Sequence, residues 1–383
     1  MYKKELDANL EILVERFRSG TYRAPPVRRV YIPKGKGKKP RPIGVPTFED
    51  KILQRAVTMI LTAVYEEDFL DFSYGFRPGR SAHQALKALR TDLMATWGGY
   101  VIELDIEQFF DTMSHNKLGS FLDKRICDGV LRRMIGKWLK AGVLENGTIR
   151  RNRFGSPQGG VISPLLANLY LHEVLDKWFI TEVQPRLRGG SSMVRYADDG
   201  VLVFAREDDA RRVFEVLPKR FAKFGLRLHP EKTRLLPFVS PGRTGRKKDR
   251  KGKPGSFDFL GITHYWAVSQ RGYNVVKQKT AKDRFRRSLH NVTIWCQKHR
   301  HDPVKEQSKK LGRIMEGHYG YYGITGNNRS LSNYAQEVRA IWLKWLSRRS
   351  WKSQITWENF HSMLKRYPLP FPRIKHKYRI ASP

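Results

Sequence analysis

At 383 residues the chain is long enough for two or three domains with buried cores, and its 73 Lys and Arg against 36 Asp and Glu give a formal charge of +37. Self-repulsion opposes such an excess, which favours a polyanionic partner, nucleic acid first, over a merely solubilising surface, while nine Trp and sixteen Tyr exclude a disordered basic tail. Two distant cysteines, Cys127 and Cys296, exclude a disulfide framework and a cysteine-rich zinc module; with no apolar signal core or membrane-length apolar run, a reducing cytoplasm and no membrane partner are expected.

In chain order, Leu6, Leu10, Leu13, Val14 and Phe17 recur at helical spacing over residues 5–18. Residues 22–46 read as extended and basic: a strand at 28–33, a glycine-rich turn at 34–41 and a returning strand at 42–46. Helices are predicted over 50–66 and 81–97, joined by the loop Tyr74-Gly-Phe-Arg-Pro-Gly-Arg-Ser81. An apolar strand over 100–104 ends at Asp105, and a mostly helical stretch runs on to Ala141. A hairpin around Asn146-Gly147 and the loop Gly155-Ser-Pro-Gln-Gly-Gly160 precede a helix with Ser163 as N-cap and Pro164 in its first turn, predicted to end near Phe179. Two apolar strands flank Asp198-Asp199-Gly200; a helix follows over 208–224, closed by Gly225. Residues 226–233 read as a further strand with a turn, 243–253 as an exposed basic loop, and 257–263 as resuming the sheet. From about 280 the pattern is helical and rich in Arg, Trp and Tyr, which sets a domain boundary near 275–280.

The chemistry gathers at carboxylates. Asp198 and Asp199 sit at a turn between apolar strands, and Asp105 ends another. Carboxylate oxygens suit Mg²⁺, a hard cation that also binds substrate phosphates, and carboxylates held close resist joint ionisation unless a cation compensates them. Two-metal phosphoryl transfer, as in polymerases and nucleases, is the natural chemistry of such a site. Asp-Asp-Gly by itself is also an ordinary hairpin turn, so its surroundings must decide.

Those surroundings form an ordered series: 32–46, Tyr74–Ser81, Asp105–Asp111, Gly155–Gly160, Tyr196-Ala-Asp-Asp199, Gly225–Thr233 and Phe259-Leu-Gly261. In that order, over about residues 20–265, the chain resembles a group II intron-encoded reverse transcriptase and maturase of the bacterial type lacking the endonuclease module. Glu316–Gly323 and Trp342-Leu-Lys-Trp345 resemble the maturase part of the same family. The resemblance implies an α+β right-hand polymerase: fingers with an N-terminal helix over 1–99, a catalytic palm of antiparallel sheet and packed helices over 100–278 with part of the fingers interleaved, and an α-helical thumb or maturase domain over 279–383. It implies RNA-directed DNA synthesis from dNTPs on a DNA or RNA primer with an RNA template, using two Mg²⁺ ions for which Mn²⁺ can substitute, together with binding of a host intron RNA to assist splicing. Two other readings stand beside it: a splicing factor without significant polymerase activity, and a domesticated, defence-associated reverse transcriptase. The intact carboxylates disfavour the first, and the maturase-like tail the second. The family usually carries a further N-terminal segment before the fingers block, and without a cysteine- and histidine-bearing endonuclease module the chain is not expected to cut a DNA target.

Within that resemblance, Asp105 and Asp198 are the main ligands of both ions. Asp199 supports them, since strand neighbours face opposite ways and only a turn lets the second approach. Lys34 and Arg41 match fingertip positions that clamp the incoming triphosphate, with Lys36, Lys38 or Lys39 as possible substitutes in a slightly longer loop. That loop also reads as a solvated charge run, although its glycines allow close approach to phosphate. Gln158 matches a position beside the nascent base pair, and Phe110 one beneath the incoming sugar, with Phe109 as a core ring. Arg77 and Arg80 fall in the template-touching block or are simply structural, and Arg284, Arg286 and Arg287 share a helix that can follow a duplex backbone. Lys232 is either a surface lysine or, by analogy with other polymerases, the proton donor to pyrophosphate. Trp295, Trp342, Trp345, Trp351 and Trp357 read as interhelix packing rather than base-stacking platforms.

Overall fold

A computed structural model describes residues 4–33, 40–145, 147–150, 155, 159–241, 255–350 and 354–378. The chain divides into two compact units, residues 1–89 with 99–236 and residues 90–98 with 237–383.

In chain order come α1 (Leu6–Arg18), β1 (Val27–Ile32), β2 (Arg41–Val45), α2 (Phe48–Glu66), α3 (Ala82–Ala95, whose last residues fall in the second unit), β3 (Tyr100–Leu104), α4 (Phe109–Thr112), α5 (His115–Leu122) and α6 (Gly129–Lys140). They are followed by β4 (Val143–Glu145), β5 (Thr148–Arg150), α7 (Ser163–Leu171), β6 (Ser191–Tyr196), β7 (Asp199–Phe204), α8 (Glu207–Lys223) and β8 (Arg234–Pro237). Side-chain caps set several starts. The Thr47 hydroxyl accepts the Asp50 N–H at 3.3 Å to open α2, and Asp128 accepts from Val130 and Leu131 at 2.7 and 2.9 Å to open α6. Leu53, Val57, Leu61 and Tyr65 are buried along one face of α2, as the helical period requires.

Two sheets order the first unit. One runs β2-β1-β4-β5, with β1 antiparallel to β2 and parallel to β4. The other runs β6-β7-β3-β8; its central strand β7 buries Gly200 to Phe204 and pairs antiparallel with β3 from Tyr100↔Phe204 to Leu104↔Gly200. Leu165, Leu166 and Leu169 of α7 and Val213, Leu217 and Phe221 of α8 lie in the same core as Ile102, Leu202 and Phe204. Burying apolar side chains of this size contributes about 1.5–3 kcal/mol each, which holds the sheet against its helices.

The second unit contains β9 (Ser256–Phe259), β10 (Ile262–Val268) and β11 (Asn274–Thr280), then α9 (Lys282–Lys298), α10 (Val304–Tyr322), α11 (Asn328–Leu346) and α12 (Trp357–Arg366). Its strands form a separate antiparallel sheet in the order β11-β10-β9. Val292, Leu311, Met315, Tyr334, Val338, Trp342 and Phe360 are buried in the helical core.

Three expectations change. Residues 256–280 do not resume the β7 sheet: they form their own, and the compact units part at 236/237 rather than near 275–280. Alternation shows that a segment is a strand but not which sheet it joins. Residues 226–233 are not a strand; Leu228 makes one isolated bridge to Ile106, and the regular strand is β8 beyond the turn. The helix from Ser163 does not stop near Phe179, because α7 leads into π-turns at His172–Asp176 and Phe179–Val183, a register that leaves no mark in the sequence period. Trp342 is buried and Trp295 and Trp345 pack partly buried on its core, whereas Trp357 is half exposed; Trp351, Asn146 and the 243–253 loop lie outside the described residues.

Candidate active site

β6 and β7 are joined by Ala197-Asp198, with Tyr196 paired to Asp199 across the turn. Ala197 takes a left-handed φ of +57°, the backbone a two-residue hairpin demands. On the other edge of β7 the register ends at Leu104↔Gly200, so Asp105 leaves the sheet where the hairpin turns. Burial pushes the Asp198 carboxyl above the usual range and the Asp105 charge adds to that, while its own backbone, Arg41 and Arg195 pull the other way.

Asp105 is held by the segment that follows α8. Its N–H donates to the Thr233 hydroxyl at 3.3 Å, and its carbonyl accepts from the His229 N–H at 2.9 Å and the Thr233 hydroxyl at 3.1 Å. The Lys232 ammonium donates to both Asp105 carboxylate oxygens at 3.3 and 3.2 Å. Two carboxylates, one desolvated and repelled by the other, fit a divalent cation by charge and by donor type. Among the described residues no three Asp, Glu, His or Cys side chains are gathered for a metal. Asp105 and Asp198 act on each other electrostatically in this structure. Asp199 is exposed as the first residue of β7, opposite Tyr196 in the ladder.

Beneath the hairpin lies a sealed polar platform. Arg195 is 1% exposed and Asp176 fully buried; the guanidinium donates to the carboxylate through Nε at 2.8 Å and Nη2 at 2.5 Å. Its Nη1 reaches Asn168 Oδ1 at 3.0 Å and the Ala197 carbonyl at 2.9 Å, inside the turn itself. Burial would raise Asp176, but the Arg195 charge and hydrogen bonds, together with His172 at 3.8 Å, outweigh it and hold the carboxyl below the usual range. Asn168 Nδ2 donates to the Gly75 carbonyl at 2.6 Å. A Cβ on Gly75 would stand 2.2 Å from the Ala197 nitrogen, so only glycine allows this loop to rest on the hairpin.

The sequence reading missed Arg195, Asp176 and Asn168. The available signal was a charged residue inside an apolar strand, which a buried position tolerates only with a partner.

On another side, Gly159 has φ +112° and approaches β2 so closely that a Cβ would lie 2.6 Å from the Gly44 carbonyl. Gln54 of α2 fixes the next turn, its side-chain oxygen accepting from Val161 N–H at 2.8 Å. Arg41, exposed at the start of β2, lies within electrostatic reach of Asp198 and of Asp111. Phe109 is buried in the core and Phe110 half-buried, their rings 5.5 Å apart edge to face. Lys34, Lys36, Lys38, Lys39 and Gln158 lie outside the described residues.

The expected template contact at Arg77 is overturned. Its side chain is 4% exposed and bonds the Glu66 carboxylate and the carbonyls of Phe69, Leu70 and Ser73, leaving no donor for a nucleic acid. It braces its own loop. Arg80 bonds the exposed Asp71 carboxylate at 2.6 Å and keeps part of its surface open. Arg284, Arg286 and Arg287 are exposed on α9, the first and third beside Asp283.

Comparison with known proteins joins this geometry to a family. Residues 32–264 match the model described as "Reverse transcriptase (RNA-dependent DNA polymerase)". The chain is 36% identical over 295 residues to Protein YkfC of Escherichia coli, covering 66% of this chain and 75% of that protein. It is 44% identical over 176 residues to the group II intron-encoded protein LtrA of Lactococcus lactis, covering 45% of this chain but only 28% of LtrA. A solved telomerase from Candida albicans, in complex with a fragment of telomeric RNA, covers 93% of this chain and 64% of its own at 12% identity and a TM-score of 0.50. With its mixed helices and antiparallel palm-type sheet, the fold is that of an α+β right-hand polymerase.

Proposed function

This chain belongs to the reverse transcriptase (RNA-dependent DNA polymerase) family in its group II intron form, and from that premise we propose that it adds deoxynucleotides to a primer 3′-hydroxyl on an RNA template. The observation that carries this reading is the electrostatically coupled pair Asp105 and Asp198 at the end of one sheet. Mg²⁺ held by these two, with Asp199 in support, would supply the charge that activates the primer hydroxyl and stabilises the departing pyrophosphate.

The chain's own side chains do the rest. Arg41, together with Lys34 by family position, binds and orients the triphosphate by charge-assisted hydrogen bonds. The backbone at Gly159 lies against the nascent base pair, a contact that Gln158 shares by family position. Phe110 closes the space beneath the sugar, where a ring can neither accommodate nor hydrogen-bond a 2′-hydroxyl. Lys232 carries a proton on Nζ next to Asp105 and delivers it to pyrophosphate. Arg80 and the exposed arginines of α9 contact nucleic-acid backbone. The similarity to LtrA, a group II intron-encoded protein, supports a second role, binding of an intron RNA to assist splicing.

Primer extension tests the reading. Asp198→Asn keeps the side chain's size but removes its anionic charge, so Mg²⁺-dependent extension should be abolished while RNA binding persists. Extension by this variant at near wild-type rate would sink the assignment. Phe110→Val should raise the ribonucleotide-to-deoxynucleotide ratio of kcat/KM, and an unchanged ratio would refute the gate.

A further inference from the structure

A second basic surface lies on α6, on elements that contribute nothing to the carboxylate hairpin. α6 buries Met134, Ile135 and Trp138. Helical spacing sets Arg132, Arg133, Gly136, Lys137 and Lys140 on the opposite face. The chain leading into β1 runs alongside this face, because the Lys137 ammonium donates to the carbonyls of Gly20 at 2.6 Å and Tyr22 at 2.8 Å. Tyr22 is itself buried, its hydroxyl donating to Asp50 at 3.1 Å, which anchors that wall.

Between the two elements is a groove of about 640 Å³, lined by Arg23, Arg132, Arg133, Lys137 and Lys140 with small residues between them and no acidic side chain. Two of the cations serve the fold: Lys137 ties down the wall, and Arg132 bonds Asp123 at 2.6 Å and the Gly119 carbonyl at 3.1 Å. Arg23, Arg133 and Lys140 are exposed and make no ion pair among the described residues. A solvated helix face normally interleaves both signs of charge, whereas a concave, single-sign wall repels itself unless an anion enters.

We propose that this groove is a second RNA-binding site, taking the phosphate backbone of a structured RNA and separate from the site that receives the primer end. The assignment rests on the reading of the chain as an RNA-binding reverse transcriptase.

The test uses the full chain and a blunt RNA hairpin with no extendable recessed end. Arg23→Gln/Arg133→Gln/Lys140→Gln should make the plot of log affinity against log salt shallower by about 2–3, one step per lost phosphate contact. Extension of a short pre-annealed primer–template should be unchanged. Gly136→Glu provides the folding control, since a side chain there meets nothing within 4 Å and Glu favours helix over Gly. It should weaken hairpin binding without lowering Tm, while Gly136→Ala leaves binding as it was. A steep wild-type salt slope with the same slope in the triple variant would overturn the groove alone. Equal loss of hairpin binding and primer extension would overturn its separateness. A wild-type chain whose RNA binding ignores salt would overturn the underlying reading, and the groove with it.

Discussion

The two units bury polarity in opposite ways. In the first, a complete ion pair, Arg195 with Asp176, is sealed beneath the hairpin that carries Asp198. Among the described residues of the second, the buried polar groups are neutral. His264 stacks on Phe257 at 5.0 Å and shares a hydrogen bond with Gln278 at 2.9 Å, and His318 lies flat on Tyr334 at 3.6 Å. Gln307 joins the Trp342 indole at 2.8 Å to the carbonyls of His299, Arg300 and Asp302. Burial pushes His264 down to about 3 and His318 to about 4. A buried ion pair is weak support for stability, because desolvation offsets most of its attraction. Its use in the first unit is geometric: a bidentate guanidinium with a spare donor fixes the Ala197 carbonyl and so the turn. The neutral groups of the second unit serve packing.

The largest effect should come from breaking the pair. Arg195→Met leaves Asp176 buried and unpaired and should cost about 3–5 kcal/mol in denaturant unfolding. Arg195→Met/Asp176→Leu should regain most of that stability yet not primer extension, since the hairpin has lost its anchor. Recovery of both would break the contrast between the units.

Acid should act on the second unit. Unfolded, His264 and His318 take up protons near the ordinary value of about 6.5; folded, they stay neutral until about 3 and 4. The stability they hold is full above about pH 6.5 and is lost as pH falls through the window toward those values, with His318 accounting for about 3 kcal/mol. His318→Phe should flatten that part of the profile in unfolding experiments. A wild-type stability unchanged between about pH 6.5 and 4 would contradict the neutral-core account. The smallest effect is Gln307→Met, about 1–3 kcal/mol from stranded carbonyls and indole, which should not vary with pH because no titrating group is removed.

Much of this site was legible because its signals are local. A strand ending at Asp105, a turn at Asp198 and the glycines at 159 and 160 can each be read within a few residues. Partner choice was not legible. Arg195 meets Asp176 across 19 positions, and π-turns intervene that the helical period cannot announce. Arg77 was misread for the same reason: its sequence neighbours say turn, while only the folded chain shows four internal acceptors around its guanidinium. The three strands from 256 to 280 were recognisable as strands, but nothing in alternation says that they form a sheet of their own.

The central claim is that Asp105 and Asp198 jointly hold a divalent cation, and a Mn²⁺ titration followed by electron paramagnetic resonance tests it most directly. The wild-type chain should take up Mn²⁺ in competition with Mg²⁺, and Asp105→Asn and Asp198→Asn should each lose that uptake while still binding RNA. Wild-type Mn²⁺ affinity in either variant would contradict the claim.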